Sequence, residues 1–136
     1  MTLRNYKGTA SGSKYHSKKI KAPDGEIFDS RKEYKRWCDL TLLERAGEIT
    51  NLQRQVPYLL IPEHREPDLI GPRGGRRKGR IIERRLEYIA DFTYEELLPD
   101  GSWVYVVEDC KGMRTREYII KRKLMLHVYN IRLRET

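Results

Sequence analysis

The sequence predicts an α/β domain with a mixed central sheet flanked by two helices. Three observations lead there. The patterns run helix, strand, strand, strand, helix, strand. The second and third strands alternate apolar and polar residues on either side of a tight turn at Pro99-Asp100-Gly101. The first helix pattern carries terminal signals, Asp29 or Ser30 before it and Gly47 after it, and Asn130 turns the chain after the second.

Taken in order, residues 1–22 carry Lys7, Lys14, Lys18, Lys19 and Lys21 among Gly, Ser and Tyr, and read as a basic, poorly ordered arm before a single domain over 23–136. Pro23-Asp24-Gly25 predicts a turn and Glu26-Ile27-Phe28 a short strand. The first helix runs to about Ala46, with Trp37, Leu40 and Leu43 on its buried stripe. Glu33 stands seven residues before Leu40 and falls close to the same stripe. Ile49 to Ile61 is extended, with a break expected at Pro57.

Residues 62–80 change character. Pro62, Pro67, Gly71, Pro72, Gly74, Gly75 and Gly79 predict a mobile loop between two strands. Its end is densely basic, with Arg73, Arg76, Arg77, Lys78 and Arg80 inside eight residues. The hairpin strands follow at Arg84–Glu95 and Ser102–Lys111, with Tyr88, Ala90, Phe92 and Tyr94 expected on one face. The second helix spans Thr115 to about Val128, with Ile120, Leu124 and Val128 turned inward. A last strand at Ile131-Arg132-Leu133 is expected to return parallel to a neighbour by a right-handed crossover.

Composition bounds the function. At 136 residues and a formal net charge of +8, the chain favours a polyanionic partner, most simply nucleic acid. Cys38 and Cys110 form no CxxC pair, so no zinc site of normal spacing is built from them and a reducing compartment is expected. His16, His64 and His127 form no cluster, and no phosphate-binding Gly-rich loop ends in Lys-Ser or Lys-Thr. With no apolar N-terminal run and no stretch of about 20 apolar residues, neither a signal peptide nor a membrane span is expected. A small domain of this kind often dimerises.

The hairpin arithmetic points to a site. With three loop residues Leu98 pairs with Ser102, and counting back sets Asp91 opposite Asp109. Their Cβ atoms would then stand roughly 5 Å apart on one face. Facing carboxylates repel unless a cation sits between them, and a divalent metal ion is the natural candidate. Lys111 stands on the same face, two residues beyond Asp109. Glu108 points the other way if the strand is regular, while a bulge would exchange the two. Glu33 either completes the site or closes a capping box with Ser30. Gln55 lines the site or is a surface strand residue. Tyr118 and Lys121, three apart on one helical face, reach a phosphate or lie on a solvated face.

Four motifs carry a resemblance: Phe28-Asp29-Ser30-Arg31-Lys32-Glu33, Ile89-Ala90-Asp91-Phe92, Val107-Glu108-Asp109-Cys110-Lys111-Gly112, and Thr115 with Tyr118 and Lys121. In this order the chain resembles the PD-(D/E)XK nucleases, which include restriction endonucleases and archaeal Holliday-junction resolvases. It is most similar to small phage and prophage proteins of unknown function placed in that superfamily, over about residues 14–134. Ala90 stands where a proline often precedes the first aspartate.

The resemblance implies a restriction-endonuclease-like αβββαβ core and a magnesium- or manganese-dependent DNA endonuclease. Asp91, Asp109 and Glu33 would hold the metal, Lys111 would orient the attacking water or oppose charge on the phosphate, and Gln55, Glu108, Tyr118 and Lys121 would be accessory. The substrate would be duplex or branched DNA in phage recombination or replication, Holliday junctions among the options. The enzyme would be a homodimer in the cytoplasm of a bacterial host, with no small-molecule cofactor. Lys18, Lys19, Arg73, Arg76, Arg77, Lys78, Arg80 and Arg114 are the expected DNA contacts. The rival readings are a DNA-binding protein that keeps the frame without cutting, and an RNA-binding regulator with an unrelated α/β fold.

Overall fold

The structure is a computed structural model, and it describes residues 18–111 and 113–136. Ile20–Lys21 (β1) and Ile27–Phe28 (β2) pair as an antiparallel hairpin around Gly25, whose φ of 92° needs no Cβ to accommodate. Most of the expected basic arm lies outside the described residues, but its last part is this hairpin strand, and Ala22 is buried.

Ser30 is extended and accepts a hydrogen bond from the Glu33 N–H at 3.1 Å, capping helix α1 (Arg31–Arg45). Gly47, at φ 77°, turns the chain out of the helix and into β3 (Ile49–Ile61). Pro57 does not break this strand: it pairs opposite Ile89. β3 is the edge of its sheet, where a residue without an N–H costs least.

Residues 62–80 are not an irregular loop. His64–Arg65 (β4) pairs with Ile81–Glu83 (β7), and Leu69–Ile70 (β5) pairs with Arg76–Arg77 (β6). Together they make a two-stranded ribbon between β3 and the next long strand, β8 (Leu86–Leu97). Prolines and glycines interrupt this ribbon into short steps without preventing its cross-strand pairing.

β8 turns into β9 (Trp103–Asp109) in the predicted register: Leu97 faces Trp103, Phe92 faces Glu108, and the Leu98 N–H bonds to the Ser102 carbonyl at 2.8 Å. Thr115 caps α2 (Arg116–Tyr129), and Asn130, left-handed at φ 56°, ends it. The last strand, β10, is Arg134–Glu135, slightly later than expected, and it runs parallel to β9. The sheet order is β10-β9-β8-β3, with one parallel and two antiparallel pairings.

Neighbouring residues of β9 point to opposite faces, and each face is covered by one helix. Val106 joins Leu40 of α1, Ile49, Phe92 and Tyr94. Val107 joins Tyr118 and Met125 of α2, with Leu60, Tyr88 and Ala90. Tyr88 and Ala90 therefore pack with a different helix from Phe92 and Tyr94, instead of sharing one face, and the change falls at Asp91. On α2, Tyr118 and Met125 form the buried face, while Ile120 and Val128 are exposed. The inward stripe is thus rotated from the expected one, with only Leu124 of that set packed against the core.

Candidate active site

The β8–β9 ladder ends at Phe92–Glu108, and Asp91 and Asp109, the next residues beyond that pair on the two strands, line one pocket. The Cys110 N–H donates to Asp91 Oδ2 at 2.8 Å, so the aspartate side chain takes the place of the next ladder bond. Asp109 is 2 % exposed. Its Oδ2 accepts from the Tyr88 hydroxyl at 2.5 Å. Its Oδ1 is buried without a directed hydrogen bond and lies 3.1 Å from Lys111 Nζ, an ion pair across the edge of the pocket. The Lys111 ammonium in turn sits 4.3 Å from the centre of the Tyr118 ring. Asp91, Asp109, Lys111, Tyr88, Tyr118 and Lys121 all line one pocket of about 260 Å³.

The electrostatics of this pocket are strained toward negative. Burial first, and then the charge of Asp109, lift the Asp91 carboxyl to about 7, against the Cys110 N–H and Lys111, which pull it down. Glu33 adds to the upward pull, so it belongs to the same electrostatic cluster. Lys111 alone does not neutralise the group.

Glu33 arrives from the first turn of α1 and is 3 % exposed. Half of the capping box is made, through Ser30, but the Glu33 carboxylate turns to β3: Gln55 Nε2 donates to its Oε1 at 3.1 Å, and Arg54 Nη2 lies 3.6 Å away. Burial and then Asp29 raise the Glu33 carboxyl above its ordinary range, more than Arg54 and Gln55 lower it. Gln55 is not a plain surface strand residue. Its φ is 52°, a left-handed conformation that non-glycine residues rarely adopt within a strand. Arg54 stacks 3.8 Å over the Phe28 ring and pairs with Glu26 at 2.7 Å, which fixes the strand on which Gln55 sits.

Glu108 is fully buried on the opposite side and does not reach the pocket. Arg36 of α1 holds it through two hydrogen bonds of 2.5 and 3.0 Å, and Tyr94 and Thr136 donate to it at 2.5 and 3.0 Å. Burial pushes this carboxyl up, but Arg36 and the hydroxyl donors outweigh it and hold the group below its ordinary range. The β9 ladder has no bulge, so the expected accessory role of Glu108 at the pocket is corrected to an anchor behind the strand.

The other expected residues are placed as follows. The Tyr118 hydroxyl donates to Glu135 at 3.0 Å, so its ring, not its hydroxyl, serves the pocket. Lys121 pairs with Glu117 at 3.1 Å and Arg114 with Glu135 at 2.6 Å. Lys18 and Lys19 line a groove with Arg31 and Lys32 at the start of α1. Arg73, Arg76, Arg77, Lys78 and Arg80 are on the ribbon; all but Gly79 in that basic run are exposed. Three residues outside the expected site set support it: Tyr88, bonded to Asp109; Arg36, bonded to Glu108; and Lys32, whose ammonium donates to the Lys111 carbonyl at 2.9 Å. Lys32 had one available signal, its place beside Glu33 on the helix that opens the site.

Among the described residues no three His, Cys, Asp or Glu side chains gather into a ready-made metal centre. Two carboxylates do meet, and Asp109 Oδ1 is a buried acceptor aimed at the pocket without a hydrogen bond. That donor set fits a hard, oxygen-preferring divalent cation whose remaining shell is water. Glu33, engaged by Gln55 and Arg54, enters by its field and not as a formed third ligand.

No helix among the described residues is long and apolar enough to cross a membrane. Neither a curated protein nor a solved structure matches the chain. Residues 12–135 match the family described as "Protein of unknown function (DUF1064)", and the chain belongs to that family.

Proposed function

We propose that this protein is a metal-dependent DNA endonuclease of the PD-(D/E)XK type, acting on duplex or branched DNA. The observation that carries the reading is the meeting of Asp91, Asp109 and Lys111 in one pocket at the end of the β8–β9 ladder, with Asp109 Oδ1 left without a directed hydrogen bond. The order of chain elements, helix with Glu33, then strands with Asp91 and Asp109, then helix and parallel strand, supports it.

Asp91 and Asp109 would hold Mg²⁺ or Mn²⁺, which supplies Lewis-acid stabilisation of charge on the phosphate. Asp91 would hold the cation as the ionised carboxylate, since the cation's charge would offset the burial and the Asp109 charge that lift its pKa. Lys111 is held between Asp109 and the Tyr118 ring, so its ammonium has a fixed position from which to orient water and oppose developing negative charge. Tyr88 keeps Asp109 from rotating. Glu33, steadied by Gln55, polarises the far side of the site. Basic residues on the ribbon and at the start of α1 supply phosphate contacts. Symmetric cutting of a four-way junction would require a homodimer, working in the cytoplasm of a bacterial host.

The test is a cleavage panel on four-way, duplex and single-stranded DNA with Mg²⁺, Mn²⁺ or EDTA. Metal-dependent cutting by wild type, lost in Asp109→Asn and Lys111→Ala while DNA binding persists, supports the reading. Binding without cutting of any substrate would instead make the protein a non-catalytic DNA binder.

A further inference from the structure

The ribbon between β3 and β8 is more than a basic loop. Its base is braced: Arg65 faces Ile81, the Glu66 N–H bonds to the Arg80 carbonyl at 2.8 Å, and Arg65 Nη1 donates to the Gly79 carbonyl at 3.0 Å. At Gly79 the two strands cross so closely that a Cβ would stand 1.8 Å from the Glu66 carbonyl oxygen, so only glycine fits. Asp68 Oδ1 accepts from the Gly79 N–H at 3.2 Å, and beyond it Gly71 and Gly75 close the tip with a 2.8 Å bond.

The distal half of this ribbon presents an unusual surface. Leu69 is 64 % exposed and Ile70 is 72 % exposed. Leu69 faces Arg77 and Ile70 faces Arg76, so each face of the ribbon carries one aliphatic side chain beside one guanidinium. Pro72 and Arg73 form the turn beyond them. Among the described residues, none of Arg73, Arg76, Arg77, Lys78 and Arg80 is in an ion pair. Uncommitted cations draw a polyanion, and exposed aliphatics beside them offer that polyanion something to unstack against. Leu, Ile and Pro are the side chains that wedge between base steps when a two-stranded ribbon or helix enters DNA.

The ribbon is also close enough to serve the pocket. It joins β8 at Leu86, five residues before Asp91. That puts the ribbon's base about 17 Å of strand from the pocket and Arg76, ten residues further back, at most about 50 Å of extended chain away, roughly one and a half duplex turns. One DNA molecule can therefore touch both.

We propose that the ribbon over residues 62–83 is a wedge for branched or unstacked DNA, in which Leu69 and Ile70 enter between bases while Arg76 and Arg77 hold the flanking phosphates. This rests on DNA being the partner, as in the function proposed above, and it adds the substrate class: DNA whose stacking is already interrupted. Opening a base step costs least at a branch point, so the wedge selects junctions over continuous duplex.

The experiment uses the full chain in EDTA, where no cutting complicates binding. The DNA is a four-way junction with 2-aminopurine at the branch point, beside a duplex of matched sequence. Wild type should prefer the junction and raise 2-aminopurine fluorescence on binding. The double variant Leu69→Ser with Ile70→Ser should lose that rise and lose roughly tenfold in junction preference, while keeping duplex affinity. Both side chains are exposed, so an unchanged melting temperature checks that folding is intact. Arg76→Ala with Arg77→Ala should instead weaken both DNAs alike and flatten the salt dependence by about two in slope.

A fluorescence rise that survives in the Leu69→Ser, Ile70→Ser variant overturns the wedge. So does a variant that merely converts a dimer to a monomer while the rise persists, which would make the aliphatic pair a contact between copies. The two proposals fail separately. A rise with wild type that never cuts with Mg²⁺ or Mn²⁺ upholds the wedge and removes the nuclease, and cutting without any rise does the reverse. No binding to either DNA removes both.

Discussion

Glu108 and Asp109 are consecutive on β9, yet the strand sends them to opposite sides: Glu108, itself fully buried, pairs with the partly exposed Arg36 of α1, and Asp109 enters the pocket against α2. The first secures the backbone that carries the second. Arg36→Met would leave the Glu108 carboxylate buried without its cation. Breaking one side of such a pair costs about 3 kcal/mol. Urea denaturation should show this as a lower midpoint, and a loss well below 1 kcal/mol would mean that the pair does not anchor the strand.

Tyr88→Phe removes the hydroxyl that donates to Asp109 Oδ2 and leaves a buried acceptor unmatched. The expected loss of stability is about 1–3 kcal/mol, with the Phe ring still filling the α2-side core. Unchanged stability would show that water replaces the hydroxyl at no cost.

Asp91 makes stability fall as pH rises. Its carboxyl ionises near its ordinary value of 3.8 in the unfolded chain but only at about 7 in the fold, so its favourable contribution is complete below the lower value and is lost as pH climbs through the upper one. In EDTA the melting temperature of wild type should drop between pH 5 and pH 8 relative to that of Asp91→Asn. Mn²⁺ should restore wild type more at pH 8 than at pH 5.5, because protons no longer compete for the site. Parallel curves for the two proteins would contradict both the lifted pKa and the site.

For catalysis, Lys111→Ala should cut the cleavage rate by about 10²–10³-fold, the scale of losing one preorganised charge at a developing anion. Asp109→Asn should abolish metal-dependent cutting. In both, gel-shift affinity for DNA in EDTA should hold, since neither residue is part of the ribbon. Equal loss of binding and cutting would place these residues in DNA docking instead.

Much of the frame was legible because its causes are local. Ser30 caps the first helix through a bond three residues long, Gly47 ends it by adopting left-handed backbone, Asn130 turns the chain after the second, and Asp100 and Gly101 set a turn whose length fixes the register that brings Asp91 and Asp109 to the end of the ladder. The alternation of β9 likewise predicted that Glu108 and Asp109 diverge. Errors arose where a local rule had a distant override. Pro57 reads as a break but sits on an edge strand, and the Pro- and Gly-rich segment reads as a loose loop but is braced across strands at Gly79.

What the sequence determined by itself, then, is the order of elements, the hairpin register and the pair of carboxylates with Lys111 near them, all consequences of backbone geometry over a few residues. Only the tertiary structure decided that Tyr88 bonds to Asp109, that Glu33 turns from its capping box to a strained Gln55, that Arg36 takes Glu108, and that the ribbon carries its aliphatics outward. The first three of those choices join residues 21 to 72 positions apart, where no periodicity or propensity reaches. They follow from how two helices and a twisted sheet bring side chains together, and from which buried charge finds which partner.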